Sequence, residues 1–382
     1  VKELLAEIAR WRSEGHGVVL ARVVNVEGSG PREAGAAMAV NDQGVVVGSV
    51  SGGCVEGAVV EAALEVLASG ESRLCTFGYS DDEAFAVGLT CGGTIRIFLE
   101  RLAPEDDPMD PLFDAVIATR PCAVATIVAR QEGVSSLLGT KVVLIDGHEA
   151  MGSLGNSTLD QNVAADLRGA LDHGHSVTRH YGEHGEMRER SISVFHQVFT
   201  TPPKMIIIGA VDFTAALVNA AKSLHYFVTV CDPRPIFATL ARFPRADVIE
   251  NRWPDLLLQE VGPQLGPRDA LCVLTHDVKF DVPAIVEGIK TKVGYIGVMG
   301  SRLTHEKRVV RLREAGLSDE EIARLASPIG VSIGARTPEE TAISIMAEII
   351  ALRSGVAVPH LKDASGPIHS RPLADSVLDS WA

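Results

Sequence analysis

Apolar residues recur at Leu4, Ile8 and Trp11 ahead of Gly15. That i, i+4, i+7 spacing with a glycine stop predicts a helix with one buried face over residues 2 to 14. Short β-branched runs follow, VVLARVVNV, AAMAV and VVVGSV, separated by the turns EGSGPREAG and NDQG. They predict an antiparallel sheet packed on a helix over residues 55 to 68. The runs TIRIFLERL, PCAVATIVAR, KVVLID and ISVFHQVF continue the style, with a helix near 158 to 172. Residues 1 to 199 therefore read as an α+β domain, and the letters show no internal repeat.

After the proline break TTPPK the pattern changes to short buried runs, MIIIGA, FVTVCD, ALCVLT and YIGVMG, alternating with helical segments. Successive parallel strands need a long return connection and a helix supplies it, so residues 204 to 355 read as a Rossmann-like, doubly wound parallel sheet. The last helix, PEETAISIMAEIIALRSG, carries Thr337 as a natural N-cap, Pro338 in its first turn and Gly355 at its end. Residues 356 to 382 lose periodicity and read as a tail. The fold class is α/β.

Composition narrows the function. The chain has 382 residues, 46% hydrophobic and 22% charged, enough for real cores. A net charge of −14 without a Lys/Arg run argues against nucleic acid or an anionic membrane as partner. No apolar run reaches roughly 18 residues and the N-terminus lacks a signal-peptide core, so the expected location is cytoplasmic. Six cysteines at irregular spacing, without a Cys-x-x-Cys pair, read as free thiols rather than a zinc or disulfide framework. They also offer no clustered set of iron–sulfur ligands.

Two cysteines sit on thin backbone, in Ser51-Gly52-Gly53-Cys54-Val55-Glu56 and in Gly88-Leu89-Thr90-Cys91-Gly92-Gly93. Cys54 opens the predicted helix, where exposed N–H groups favour a thiolate that can attack, bind a soft metal or accept sulfur. The alternative is a small apolar filler in each turn. Glu27 to Glu33, with Arg32, either holds an anionic oxygen cluster or is a plain hairpin turn. In the second domain the dinucleotide fingerprint positions read Gly209, Val211 and Thr214, with Asp232 closing the second strand. Valine at the pyrophosphate contact, followed by Asp212, weakens an NAD(P) site and with it the reading as an NAD(P)-dependent oxidoreductase with His276 as proton donor. Thr275-His276-Asp277 and Gly300-Ser301-Arg302 lie at the carboxyl ends of predicted strands, where such sheets place ligands. They form a ligand cleft or merely cap turns.

The combination SVSGGCVEGAV, GLTCGG, CDPRPIFA, LTHDVKFD, YIGVMGSR and PIGVSIGARTPEETAISIMAEI resembles the xanthine dehydrogenase accessory (XdhC/CoxI) family over about residues 1 to 355. The resemblance implies a chaperone that binds molybdenum cofactor (molybdopterin) and assists its sulfuration with a cysteine desulfurase. It then hands the cofactor to an apo molybdenum hydroxylase such as xanthine dehydrogenase or carbon monoxide dehydrogenase. It also implies a homodimer. Carried over by position, the family motifs fall on Gly52, Gly53 and Cys54, on Cys91 and Gly92, on His276 and Asp277, and on Gly300, Ser301 and Arg302. Cys54 is the expected metal contact. Gly209-Ala210-Val211-Asp212 departs from the family's Gly-x-Gly-His turn.

Overall fold

The computed structural model describes residues 2–28, 32–78, 93–146 and 150–358. The chain divides into two units, one up to Thr201 and one from Pro202.

The first unit runs α1 (Lys2–Ser13), β1 (Val18–Glu27), β2 (Ala37–Asn41), β3 (Val46–Gly48), α2 (Glu56–Ser69), β4 (Arg73–Phe77), β5 (Thr94–Leu102). The order then repeats as α3 (Asp110–Ile117), β6 (Cys122–Arg130), β7 (Lys141–Ile145), β8 (Met151–Ser153), α4 (Ser157–His173), β9 (Val177–Tyr181), β10 (Ile192–Phe199). The sheets have matching antiparallel orders, β3-β2-β1-β5-β4 and β8-β7-β6-β10-β9. This corrects the absence of a repeat expected from the letters. Equivalent residues lie at one offset of 104: Val18 and Cys122, Ala37 and Lys141, Arg73 and Val177 all start matching strands. The bulge is copied as well. Val23 N–H donates to Ala36 O and Gly35 N–H to Val23 O, just as Ile127 N–H donates to Thr140 O and Gly139 N–H to Ile127 O.

Alternation along the strands explains the layering, since successive side chains point to opposite faces. Val19, Ala21 and Val23 pack with Val59, Ala63 and Val66 of α2, and Ala123, Ala125 and Ile127 with Leu159, Val163 and Leu167 of α4. The other faces meet: Val24 and Phe98 of the first half cluster with Val128 and Phe195 of the second. Beside them lies a buried polar network. Arg22 donates to Glu100 (2.5 Å), Gln197 (3.1 Å) and Thr126 (3.3 Å), and Lys141 donates to Glu100 (2.7 Å). Burial opposes the charge on Glu100, but Arg22 and Lys141 outweigh it and hold the carboxyl below its usual range.

The second unit comprises β11 (Lys204–Ile208), α5 (Asp212–Ser223), β12 (Phe227–Cys231), β13 (Val248–Glu250), α6 (Pro254–Val261), β14 (Ala270–Val273), α7 (Val278–Ile289), β15 (Tyr295–Val298), α8 (Arg302–Glu314), α9 (Asp319–Ala323), β16 (Leu325–Ala326) and α10 (Pro338–Ser354). The sheet is wholly parallel in the order β13-β12-β11-β14-β15-β16. That is the doubly wound Rossmann order, with its switch point between β11 and β14. Residues of α5 and α10 pack on one face of the sheet and those of α6, α7 and Leu312 of α8 on the other. The short strands β13 and β16 escape a periodicity reading because two or three residues carry no period.

Candidate functional site

In the first unit the ends of β1 and β3 and the start of β2 lie on one edge of the sheet, as do the end of β4 and the start of β5, which the antiparallel register fixes. The loop holding Arg32, the Gly52-Gly53-Cys54 loop and the strand ends flanking Cys91 and Gly92 therefore share an edge. Cys91 and Gly92 themselves lie outside the described residues. Arg32 is exposed.

The Cys54 loop is organised by Glu56. Its carboxylate accepts from the hydroxyls of Ser49 (2.7 Å) and Ser51 and from the amides of Ser51 (2.9 Å), Gly52 (3.0 Å) and Gly53 (2.9 Å). Burial opposes its charge, but the Ser51 and Ser49 hydroxyls and the Ser51 amide prevail and hold the carboxyl well below its usual range. The amides of Cys54 and Val55 both donate to Ser51 Oγ at 3.0 Å. The expected position of this thiol is corrected here: Cys54 precedes α2 by two residues rather than opening it, and the loop amides of Gly52, Gly53, Cys54 and Val55 donate to Ser51 and Glu56. Gly52 and Gly53 have φ of +77° and +114°, a region open to glycine, and a Cβ on either would meet nothing within 4 Å. The half-buried Cys54 is thus flanked by backbone with free space before it.

In the second unit the chain after β11 turns at Gly209, where a Cβ would meet Thr275 Cγ2 at 2.5 Å. Only glycine fits. The next amides are already used: Ala210 N–H donates to Asp232 (2.8 Å) and Val211 N–H to Thr214 Oγ1 (3.4 Å). Asp232, fully buried, is also held by Arg234 through Nε (2.9 Å) and Nη2 (2.7 Å). In a dinucleotide site those amides face pyrophosphate and that carboxylate faces ribose. Here both are satisfied internally, which argues against NAD(P) and against the oxidoreductase reading.

Next to this turn lies an open cleft of about 540 Å3 lined by Val211, Arg234, Thr275, His276, Asp277, Val278 and Phe280. Beneath it, Thr275 Oγ1 donates to Asp281, which also accepts from Arg308 (3.2 Å). Burial raises the Asp281 carboxyl above its usual range against the pull of Thr275 and Arg308. Arg308 further donates to Met299 O (2.9 Å), tying α8 to the end of β15.

Two family descriptions match the chain: the XdhC Rossmann domain over residues 205–349, and the XdhC and CoxI family over 11–78 and 115–182. A Bacillus subtilis protein described as a probable subunit of xanthine dehydrogenase is 30% identical over 343 residues, 89% of this chain and 94% of that one. The chain belongs to the XdhC and CoxI family. The two matched segments of the XdhC and CoxI description fall in the two halves of the duplicated unit. The Escherichia coli molybdenum cofactor insertion chaperone PaoD is 24% identical over 339 residues, covering 89% of this chain and 84% of PaoD. A crystal structure from Bacillus halodurans, described as a xanthine dehydrogenase, superposes with a TM-score of 0.61 at 25% identity, covering 92% of this chain and 95% of that one.

For this XdhC/CoxI chain the structure brings Gly52, Gly53, Cys54 and Arg32 to one edge of the first unit, and His276 and Asp277 into the cleft of the second. Asp277 also caps α7 through Lys279 N–H (3.2 Å) and pairs with Lys279 Nζ (3.0 Å). Ser301 caps α8 by accepting from Thr304 N–H (3.1 Å), while Gly300, Ser301 and Arg302 line neither this cleft nor the cavity beside it. Sequence reasoning missed Asp281 and Arg308. The available signal was an acid four residues beyond Asp277, which a helix sets one turn further along the same face. No group of three or more His, Cys, Asp or Glu able to hold a metal occurs among the described residues, and no helix among them is long and apolar enough to cross a membrane.

Proposed function

We propose that this protein is a molybdenum-cofactor chaperone that carries the cofactor to an apo molybdenum hydroxylase, holding the metal end of its cargo at the Cys54 edge. The carrying observation is the Cys54 thiol, half-buried beside two glycines with open space in front. A soft thiolate suits molybdenum, and glycine backbone admits a bulky planar cargo. Family membership and the likeness to PaoD support the reading. A single soft donor on a loop also permits release, which a carrier requires. Arg32 supplies a cation for an anionic group of the cargo.

We extend the reading to a cysteine desulfurase that supplies sulfur while the cargo is held, to xanthine dehydrogenase or carbon monoxide dehydrogenase as client, and to a homodimer working in the cytoplasm. The experiment is retention of molybdenum after incubation with cofactor and gel filtration, read by elemental analysis. Cys54→Ala is expected to lose about tenfold or more in retention, given the strength of a metal–thiolate contact, and Cys54→Ser nearly as much. Full retention in both variants sinks the role of this thiol.

A further inference from the structure

A cavity of about 130 Å3 lies between α7 and α8 in the second unit. These helices follow β14 and β15, so it sits at the carboxyl ends of parallel strands, the edge where such sheets place ligands. His276 and Asp281 line it from the α7 side, and Thr304, Lys307, Arg308 and Arg311 from α8.

Two of the lining groups are buried, Asp281 at 3% and Arg308 at 4% exposure. The carboxylate is spent inwards: Asp281 accepts from the Thr275 hydroxyl and from Arg308 at 3.2 Å. Arg308 is not fully spent. A guanidinium carries five N–H donors, and those of Arg308 serve Asp281, Met299 O (2.9 Å) and Ser327 Oγ (3.4 Å). The remaining donors of this buried cation have no protein acceptor among the described residues, and buried donors of native proteins are nearly always matched.

The other two cations add charge without adding acceptors. Lys307 and Arg311 stand one turn apart on α8, both exposed, a spacing at which like charges repel. Arg313 of the same helix is paired with Asp319 and Arg308 with Asp281, whereas Lys307 and Arg311 belong to no ion pair among the described residues. The cavity thus sets Lys307, Arg308 and Arg311 against the single carboxylate of Asp281, in a chain whose net charge is −14.

We infer that this cavity binds a free tetrahedral oxyanion, inorganic phosphate or sulfate, between Lys307, Arg308 and Arg311. Guanidinium groups match such oxygens in pairs and an ammonium adds a point charge. The volume falls below the roughly 300 to 1,000 Å3 of small-molecule sites, so the ion fits and an ester of a bulky alcohol does not. The inference is independent of the carrier reading, which rests on Cys54 of the first unit.

Because α7 and α8 both line the cavity, a bound ion fastens them, and the thermal unfolding midpoint of the full chain reports it. Sodium phosphate, sulfate, acetate and phenyl phosphate are titrated separately, with sodium chloride holding the ionic strength constant. Phosphate and sulfate are expected to raise the midpoint with the curvature of a ligand that binds one site of the folded chain, beyond the linear salting-out they give any protein. In the exposed double variant Lys307→Ala/Arg311→Ala the half-saturating concentration is expected to rise about tenfold or more, because two charge-assisted contacts are lost. Arg313→Ala, which removes an exposed cation of α8 outside the cavity, is expected to leave it within about twofold, since that charge is screened from the site. Phenyl phosphate is expected to bind more weakly than phosphate. A purely linear response in the unaltered chain overturns the inference. So does saturation that survives the double variant, an equal loss in Arg313→Ala, acetate as effective as phosphate, or phenyl phosphate binding as tightly as the free ion.

Discussion

The two halves of the first unit are built on one plan, and they differ where chemistry is expected. Ser49, just after β3, and Ser153, the last residue of β8, are equivalent, and Glu56 and Asp160 are equivalent acids in the first turns of α2 and α4, both pairs at the offset of 104. Each acid gathers the serine hydroxyl, Glu56 from Ser49 and Asp160 from Ser153, both at 2.7 Å. Over the same six positions between them, the first half carries Ser51-Gly52-Gly53-Cys54 where the second carries Gly155-Asn156-Ser157-Thr158. The second has Asn156, whose side chain caps α4 through Thr158 N–H (2.9 Å) and Leu159 N–H (3.2 Å). One half ends its strand in an ordinary capped helix. The other delays the helix, draws the loop amides onto a carboxylate and leaves a thiol beside open space. The scaffold is therefore separable from the site: both halves keep an acid and a serine, and the glycines and cysteine are what the first half places at the positions between them.

The largest expected effect concerns the join between halves. Arg22, fully buried, bridges Glu100 of its own half to Gln197 and Thr126 of the other. Arg22→Ala leaves Glu100 with Lys141 alone and is expected to cost about 3–5 kcal/mol, the penalty for breaking a buried pair from one side. Denaturant unfolding of the unaltered chain and the variant measures it. A loss below about 1 kcal/mol, the range of exposed pairs, would mean that the join does not depend on this network.

Next comes the acid that organises each helix start. Glu56→Ala strands two amides and two hydroxyls that have no other acceptor in the loop, and is expected to cost about 2–3 kcal/mol. Asp160→Ala should cost about 1 kcal/mol, because among the described residues Asp160 accepts from Ser153 Oγ and Leu154 N–H, while Asn156 still caps the helix. Equal losses in the two variants would dissolve the distinction between scaffold and site.

Why the duplication escaped the letters is plain at single positions. The offset conserves kind rather than identity: Val55 answers Leu159 and Glu56 answers Asp160, both apolar partners being fully buried. What repeats in identity is backbone need, as at Gly48 and Gly152. Both have positive φ, and a Cβ on either would meet a carbonyl oxygen of the second strand at 2.4 Å. The helices near 2 to 14, 55 to 68, 158 to 172 and 338 to 355 were legible because each buries one long periodic face. The cations of α8 were not, because Lys307 and Arg311 look like a solvated face until the cavity beside them is seen. The same holds for Asp281 and Arg308, whose pairing depends on two helices meeting.

The last effect, confined to acid pH, sharpens the comparison through titration. His196 of β10 pairs with Ala125 of β6 as Leu99 of β5 pairs with Ala21 of β1, so the second half holds an imidazole where the first holds leucine. His196 is fully buried, with Nδ1 unpartnered and Nε2 at 3.2 Å from the Tyr181 hydroxyl, which donates to Asp166. Burial, reinforced by Arg179 against the opposite pull of Asp166, lowers its pKa from 6.5 to about 3. A folded pKa below the unfolded one gives stability that is whole above about pH 6.5 and drains away as pH falls towards 3, because the unfolded chain takes up the proton first. Between pH 7 and pH 5 this one group should remove about 2 kcal/mol, and His196→Leu should flatten that part of the profile by the same amount. Unfolding midpoints of the two proteins at pH 7, 6 and 5 measure the difference. Parallel profiles would mean that the imidazole reaches water in the folded chain, and that the second half is less tightly closed than the first at this position.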